Sequence, residues 1–202
     1  MIDINELFIY NYCHPNCTPL HNIMRLPKKE AFALAYTMAA QNPDTTAFYR
    51  FADFQNYYPQ RLETDRKLYE SFVSLGGKPK ERHPLSFVLQ GSDYLNSWFD
   101  NGITTKIPLK DLPSEFVSFT YGDSVSTYKR KGTVEIFTKE KLISSIESYS
   151  GTLDDFMRDI EEKYHYIEVQ IWNDEIIKNG EDANEPTNEP TKKPTHNQKS
   201  HN

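Results

Sequence analysis

Cysteine is scarce in this sequence, with two residues among 202. Two cysteines cannot form the disulfide framework that holds small secreted domains together. The first ten residues, MIDINELFIY, place two acidic side chains before an apolar run and lack the basic start of a secretory signal. We therefore expect reduced thiols and a cytoplasmic location.

Long apolar runs and basic stretches are also missing. No segment approaches the roughly 20 consecutive apolar residues that a membrane-spanning helix needs, so we expect no membrane partner. The formal net charge is −6, and an acidic chain without a basic stripe argues against nucleic acid as a partner. A small molecule or another protein remains as the expected partner.

Aromatic residues, in contrast, are abundant, with thirteen tyrosines and twelve phenylalanines. The chain is long enough to bury a sizeable core, and these rings supply much of its area, so we expect one domain over residues 1–177. Residues 178–202 differ in composition, because NEPT at Asn184, NEPT at Asn188 and KKPT at Lys192 form a quasi-repeat with no apolar anchor. Such a polar segment predicts a disordered tail.

Strands and helices are scattered along the chain rather than in strict alternation, which predicts an α+β fold with a mixed or mainly antiparallel sheet and four to five helices. Alternating apolar positions, with prolines and glycines at their ends, set the boundaries. The predicted strands are Glu6–Cys13, Ala47–Phe51, Leu85–Gln90, Ile103–Leu109, Glu115–Tyr121, Thr133–Phe137 and Tyr166–Trp172. The predicted helices begin near Pro27, Pro59, Asp93, Thr138 and Thr152. The first of them is apolar nearly all round (AFALAYTMAA), which predicts a central, buried position.

The stretch from His83 to Gly102 holds the clearest functional signal. It predicts a buried strand, a turn at Gly91 and Ser92, and a short helix from Asp93. A strand that enters a helix through such a turn leaves free backbone N–H groups, and these can bind an anion. Ser92 is also a natural helix cap, whereas a nucleophilic serine in this turn would lack the second glycine of the G-x-S-x-G pattern.

A second candidate is the aromatic segment from Phe48 to Tyr58, which surrounds one arginine and one aspartate. Its rings, together with Tyr49, Arg50 and Asp53, could line a pocket that stacks a planar ligand. In the alternative interpretation the rings fill the core and Arg50 pairs with Asp53. His83, which titrates near neutrality, is a candidate general base or else a residue at the strand edge.

Residues in three separated segments are similar in order to the arrangement of ADP-ribosyltransferases of the R-S-E kind. His14 follows the first strand, Ser118 and Thr120 lie on a middle strand, and Glu168 lies on the last. The analogy implies that the Glu168 carboxylate orients a ribose and stabilises an oxocarbenium-like centre. The sequence departs from the pattern, because it has no Ser-Thr-Ser and no Gln-x-Glu or Glu-x-Glu at these positions.

A metal site is a weaker alternative in the first loop, where Cys13, Cys17 and His21 have metal-binding side chains. The spacing is not the usual Cys-x2-Cys, and the sequence has no second cysteine pair to complete a zinc site. Reduced cysteines beside loop histidines are the simpler interpretation.

The sequence thus predicts a small cytoplasmic protein that binds a nucleotide-like or anionic ligand, with ADP-ribosyltransferase-like chemistry as an option. The candidate catalytic residues are His83, Arg50 and Glu168, and the candidate ligand-binding residues are Tyr49, Asp53, Tyr58, Gly91, Ser92 and Ser118. The alternative is a non-enzymatic immunity, inhibitor or regulatory protein whose acidic surface and aromatic anchors meet a basic partner.

Overall fold

A six-stranded sheet organises the protein, for which a computed structural model describes residues 4–177. The predicted tail, 178–202, lies outside the described residues. The strands are β1 (Phe8–Cys13), β2 (Leu85–Leu89), β3 (Ile103–Pro108), β4 (Val117–Tyr121), β5 (Phe137–Thr138) and β6 (Ile167–Ile171). Their order in the sheet is β3-β1-β2-β6-β4-β5, and every neighbouring pair is antiparallel. The predicted α+β class, with an antiparallel sheet, is confirmed.

Seven α-helices have their bounds within the described residues. They are α1 (Lys28–Gln41), α2 (Tyr49–Ala52), α3 (Phe54–Ser74), α4 (Asp93–Trp98), α5 (Ser124–Lys131), α6 (Lys139–Glu147) and α7 (Leu153–Tyr164). The five helices expected from the sequence are present, and α2 and α5 are additional. None of the helices in this part of the chain is long and apolar enough to cross a bilayer.

One face of the sheet is apolar. Side chains alternate between the two faces of a strand, and on β6 the odd positions Ile167, Val169 and Ile171 are fully buried in the main core. Phe87 of β2 and Phe119 of β4 face the same side, because they are paired with Val169 on either side of it. Residues of α6 and α7 complete this core: Leu142, Ile146, Phe156 and Ile160.

The opposite face carries polar side chains at the alternate positions. Glu168 and Gln170 of β6 lie beside Thr120 and Ser118 of β4, and all four are buried. Helix α3 covers this face, where Trp172 packs with Leu68 and Phe72. A buried sheet face built from hydrogen-bonding side chains, rather than from aliphatic ones, sets the position of the site described below.

Helix α1 is less buried than its composition suggested. Ala31, Ala35 and Met38 form its buried stripe, whereas Leu34 and Tyr36 are 42% and 44% exposed. The helix packs on α2 and α3 from one side, so the prediction of a central position was wrong.

Two further local predictions were wrong. The aromatic run Ala47–Phe51, predicted as a strand, is a 3-10 turn (Thr46–Phe48) followed by α2. The Phe51 ring lies 5.4 Å from the Phe48 ring and 5.6 Å from the Phe54 ring, measured between centroids. Rings three residues apart meet on one side of a helix but not of a strand, and this tertiary packing outweighs the β propensity of the aromatic residues. The basic stretch from Tyr128 to Gly132, just before the predicted strand Thr133–Phe137, also has a composition that predicts a loop. It is the last turn of α5, which ends on this glycine at φ +70°.

Helix α3 begins five residues before Pro59, which was expected to open it. Backbone N–H groups of Asn56 and Tyr57 donate to the carbonyl of Asp53, so the first turn forms ahead of the proline. Phe54 is fully buried in that turn. Its burial offsets the hydrogen bond that Pro59 cannot make.

Candidate functional site

The main cavity, which charged and polar side chains line, lies between the polar face of the sheet and the helices α2, α3 and α4. Its volume is about 310 Å³. Aromatic side chains make up much of its wall: Tyr10, Tyr12, Phe48, Phe51, Tyr57, Trp98, Phe99 and Tyr166. Such a cavity falls at the lower end of the size range of small-molecule sites.

Four charged side chains reach the same cavity. They are Arg50 of α2, Arg61 of α3, Asp123 before α5 and Glu168 of β6. Burying a charge costs several kcal/mol unless the charge gains partners, so each of the four side chains requires compensating contacts.

Arg50 is held by three neighbours. Its Nη1 donates to Asp123 Oδ2 at 3.0 Å, its Nη2 to Ser126 Oγ at 3.0 Å, and its Nε to the Tyr49 hydroxyl at 2.7 Å. Burial raises the pKa of Asp123, but the Arg50 guanidinium outweighs it and leaves that pKa below the ordinary value. Arg50 and Asp123 are therefore an ionised pair at the cavity wall.

Arg61 of α3 lines the cavity, and a buried aspartate of the same helix balances its charge. Its Nε lies 2.8 Å from Oδ1 of Asp65, which is fully buried, although the geometry is off the line of a hydrogen bond. The other Asp65 oxygen lies 2.7 Å from His83 Nδ1. Burial lowers the pKa of Arg61, but Asp65 outweighs it and raises that pKa, so the guanidinium remains charged.

Glu168 is a buried carboxylate that accepts hydrogen bonds without a cation in direct contact. Oε1 accepts from Ser86 Oγ at 3.0 Å, and Oε2 accepts from the Ser124 backbone N–H at 2.8 Å. Thr120 Oγ1 lies at the limit of 3.5 Å. No ion pair within residues 4–177 includes Glu168. Burial and the nearby charge of Asp123 raise the pKa of Glu168 above 4.5.

Two of the three predicted catalytic residues, Arg50 and Glu168, line this one cavity. The third, His83, does not line it, but it contacts Asp65 and so joins the same network from the outer side.

The predicted ligand-binding residues of the aromatic segment divide between two places. Tyr49 and Asp53 line a smaller cavity of about 130 Å³ that shares Arg50 with the main one. Tyr58 packs among aromatic rings, with Phe32 and Phe54 at centroid distances of 5.2 and 5.5 Å. Arg50 pairs with Asp123, and Asp53 accepts from Asn56 Nδ2 at 2.8 Å, so the expected Arg50–Asp53 pair does not form.

Gly91 and Ser92 lie behind the cavity wall. The Ser92 N–H, expected to be free for an anion, donates to the Tyr12 hydroxyl at 2.8 Å. Ser92 Oγ accepts from the Leu95 N–H at 3.2 Å and caps α4. This turn therefore supports Tyr12, which lines the cavity.

The residues of the ADP-ribosyltransferase analogy are only partly gathered. His14 and Glu168 line the cavity, and His14 Nε2 lies 3.1 Å from Asp100 Oδ2. Ser118 lies deeper in the sheet, where it donates to Gln170 Oε1 at 2.9 Å and accepts from Trp172 Nε1 at 2.8 Å.

Cys13, Cys17 and His21 also line the cavity. Burial raises the pKa of the Cys13 thiol to about 11, whereas a metal ligand is a thiolate. His21 Nδ1 lies 2.9 Å from the Pro19 carbonyl oxygen. Within the described part of the chain no three His, Cys, Asp or Glu side chains are arranged to hold a metal ion, so the metal alternative gains no support.

Sequence reasoning missed Asp65, Asp123 and Tyr166. It considered Arg61 only as one of three possible cations, with Arg50 and Arg82, for an anion at the Gly91–Ser92 turn. Arg61 and Asp65 are spaced i,i+4 on α3, a pattern that surface ion pairs share. Asp123 follows a predicted strand and Gly122, a position typical of a helix cap, and α5 itself was not predicted.

No model of a known protein family matches the sequence, and neither the curated proteins nor the solved structures include a significant match.

Proposed function

We propose that this protein binds a small ligand of nucleoside or mononucleotide size, with a planar ring and a polar or anionic group. The observation that supports it is the meeting of two arginines and two carboxylates at one aromatic-lined cavity. Ion pairs that only stabilise a fold rarely require a cavity beside them, whereas charged groups with shifted pKa values in a cleft are typical of functional sites.

The ring of the ligand is expected to lie among the aromatic side chains. Tyr57, Trp98 and Phe99 come from helical segments, whereas Tyr10 and Tyr12 come from the sheet. Rings contributed from both sides of a cavity favour a flat ligand, because stacked or edge-on contacts add to the burial of apolar area.

The anionic group is expected near Arg50. This guanidinium uses three of its donor positions on Asp123, Ser126 and Tyr49, and an arginine presents five N–H donors in all. The remaining donors can meet a phosphate or carboxylate at the junction of the two cavities.

Binding, rather than ADP-ribosyl transfer, is the activity we infer first. A cavity of about 310 Å³ suits a nucleoside better than a dinucleotide. Ser118, which the transferase analogy requires at the ligand, is engaged with Gln170 and Trp172 instead.

The test is a thermal-shift panel of nucleosides and nucleotides at about millimolar concentration, because a ligand that binds the native state alone raises the melting temperature. Arg50→Gln should abolish the shift given by phosphorylated ligands. Arg66→Gln is the matched control, since Arg66 lies exposed on α3 and pairs with Glu63 and Glu70 away from the cavity.

A panel that shifts nothing contradicts ligand binding and favours the alternative of a protein-interaction module. A shift that Arg50→Gln and Arg66→Gln weaken equally places the ligand elsewhere on the molecule.

A further inference from the structure

Glu168 and Arg61 present an acceptor and a donor side by side on the cavity wall. Arg61 Nη2 lies 3.4 Å from Ser86 Oγ, and Ser86 Oγ lies 3.0 Å from Glu168 Oε1. The serine hydroxyl therefore separates a carboxylate from a guanidinium that do not touch each other.

Each of the two groups has hydrogen-bonding capacity left for a ligand. Oε1 of Glu168 accepts from Ser86, and a carboxylate oxygen has two acceptor positions. Arg61 makes its contacts through Nε and Nη2, which leaves Nη1 as a donor.

The groups beside Glu168 select among ligands that could meet it. A carboxylate alone would attract an amine, but an amine offers no acceptor to the Arg61 guanidinium, which lines the same cavity. A ligand edge with an N–H donor satisfies Glu168, and a carbonyl oxygen beside that N–H meets Arg61.

We infer that the cavity recognises a planar heterocycle whose edge carries an N–H next to a C=O, with the N–H on Glu168 and the carbonyl oxygen on Arg61. This inference rests on the proposed function and names the ligand class within it. The 6-oxopurines, guanine and hypoxanthine, have this lactam edge. Adenine has the reverse order, with a ring-nitrogen acceptor next to an amino donor.

The experiment compares affinities of the wild-type protein for inosine, guanosine, adenosine and 1-methylguanosine by calorimetry. We expect inosine and guanosine to bind about tenfold or more tightly than adenosine, the discrimination typical of a paired donor and acceptor. Methylation of N1 removes the donor and keeps the ring and the carbonyl, so 1-methylguanosine should lose a similar factor.

Glu168→Gln tests the residue directly. The carboxamide keeps the shape but brings an N–H₂ donor to a site that offered only acceptors, so the preference for inosine over adenosine should fall to near one or invert. Glu161→Gln is the matched control, because Glu161 is exposed on α7 and does not line the cavity; it should keep the wild-type preference.

A second measurement needs no variant. The groups that face Glu168 are Arg61 of α3, Arg50 of α2, Asp123 before α5 and Tyr166 just before its own strand. Because the ligand N–H meets the ionised carboxylate, inosine affinity should rise as pH is raised above the ordinary carboxyl range and Glu168 loses its proton.

The outcomes separate the two proposals. Purines that bind with no preference for the lactam edge, or an inosine affinity that falls as pH rises, overturn this inference and leave ligand binding intact. Failure of every purine and nucleotide to bind overturns both.

Discussion

At the scale of single residues, Glu168 is a side chain whose burial is costly. Its carboxylate is buried and has three hydrogen-bond donors near it, but no ion pair among residues 4–177 includes it. Removing such a charge often leaves stability unchanged or increases it, because the desolvation penalty disappears. Retaining it at a cavity wall is the pattern of a residue kept for binding rather than for folding.

The pKa of Glu168 is raised in the folded chain, which fixes the sign of a stability prediction. A carboxyl group whose pKa is raised by folding binds its proton more tightly in the folded chain, so it stabilises the fold at pH values below its unfolded-state pKa. This contribution is lost as pH rises through its folded-state pKa. At about pH 8, Glu168→Gln should therefore stabilise the ligand-free protein by roughly 1 kcal/mol, and at about pH 5 by less. Urea unfolding at both pH values measures the difference. A variant that is less stable than wild type at the higher pH contradicts the assignment of a desolvated charge.

Single residues were the level at which the sequence was hardest to interpret. Arg50 and Glu168 were identified as candidates, and both line the cavity. Asp65 was not, and Arg61 could not be chosen over Arg82 as a partner cation, because a sequence does not say which face of a helix turns towards a polar sheet. Buried and exposed i,i+4 ion pairs look alike in sequence, as Arg61–Asp65 and Arg66–Glu70 show on the same helix.

At the scale of elements, helix α1 shows how small side chains determine a contact. Ala31 and Ala35 are fully buried against the aromatic cluster of Phe54 and Tyr58. The absence of larger side chains at these two positions lets α1 approach α3 closely. The large residues of α1, Leu34 and Tyr36, point outward instead.

Ala35→Asp should therefore prevent folding, since it buries a carboxylate with no partner at a position of 0% exposure. We expect a loss of several kcal/mol, comparable with the whole stability of a domain. Leu34→Asp, on the adjacent exposed position, should change stability by less than about 1 kcal/mol. Circular dichroism melting of both variants is the measurement. A cooperative transition in Ala35→Asp near the wild-type temperature would falsify the packing described for α1.

Elements were predicted best where local chemistry and tertiary burial agree. A helix start near Thr152 was predicted, since Thr152 followed by Asp155 resembles a capping box, and both reciprocal hydrogen bonds are present at the start of α7. The segment Ala47–Phe51 failed because aromatic residues favour strands locally, whereas their burial here follows a helical spacing. Long-range contacts of this kind leave no local signal in one sequence.

At the scale of the whole molecule, the sheet joins distant parts of the chain. β1 pairs with β2 and β3, about 80 and 95 residues later in sequence, and β6 lies between β2 and β4. The antiparallel sheet and the α+β class were predictable from the scattered strands. The strand order was not, because several antiparallel orders bury the same residues.

Hydrogen exchange should follow this order. Amides of β6, which has paired neighbours on both sides and is buried throughout, should exchange most slowly. Amides of the edge strands β3 and β5 should exchange at least about tenfold faster, because local opening there breaks fewer contacts. Exchange followed by mass spectrometry on peptides from each strand measures the ratio. Equal protection of β3 and β6 would contradict the observed strand order.

The interior place of β6 also has a consequence for synthesis. Ile167–Ile171 is the latest of the six strands to leave the ribosome, and it fills the gap between two strands made earlier. Until it emerges, β2 and β4 each hold an open edge of backbone donors and acceptors beside apolar side chains, a template for pairing with the wrong chain. Completion of the sheet, and with it of the wall that carries Glu168, therefore waits for the synthesis of β6.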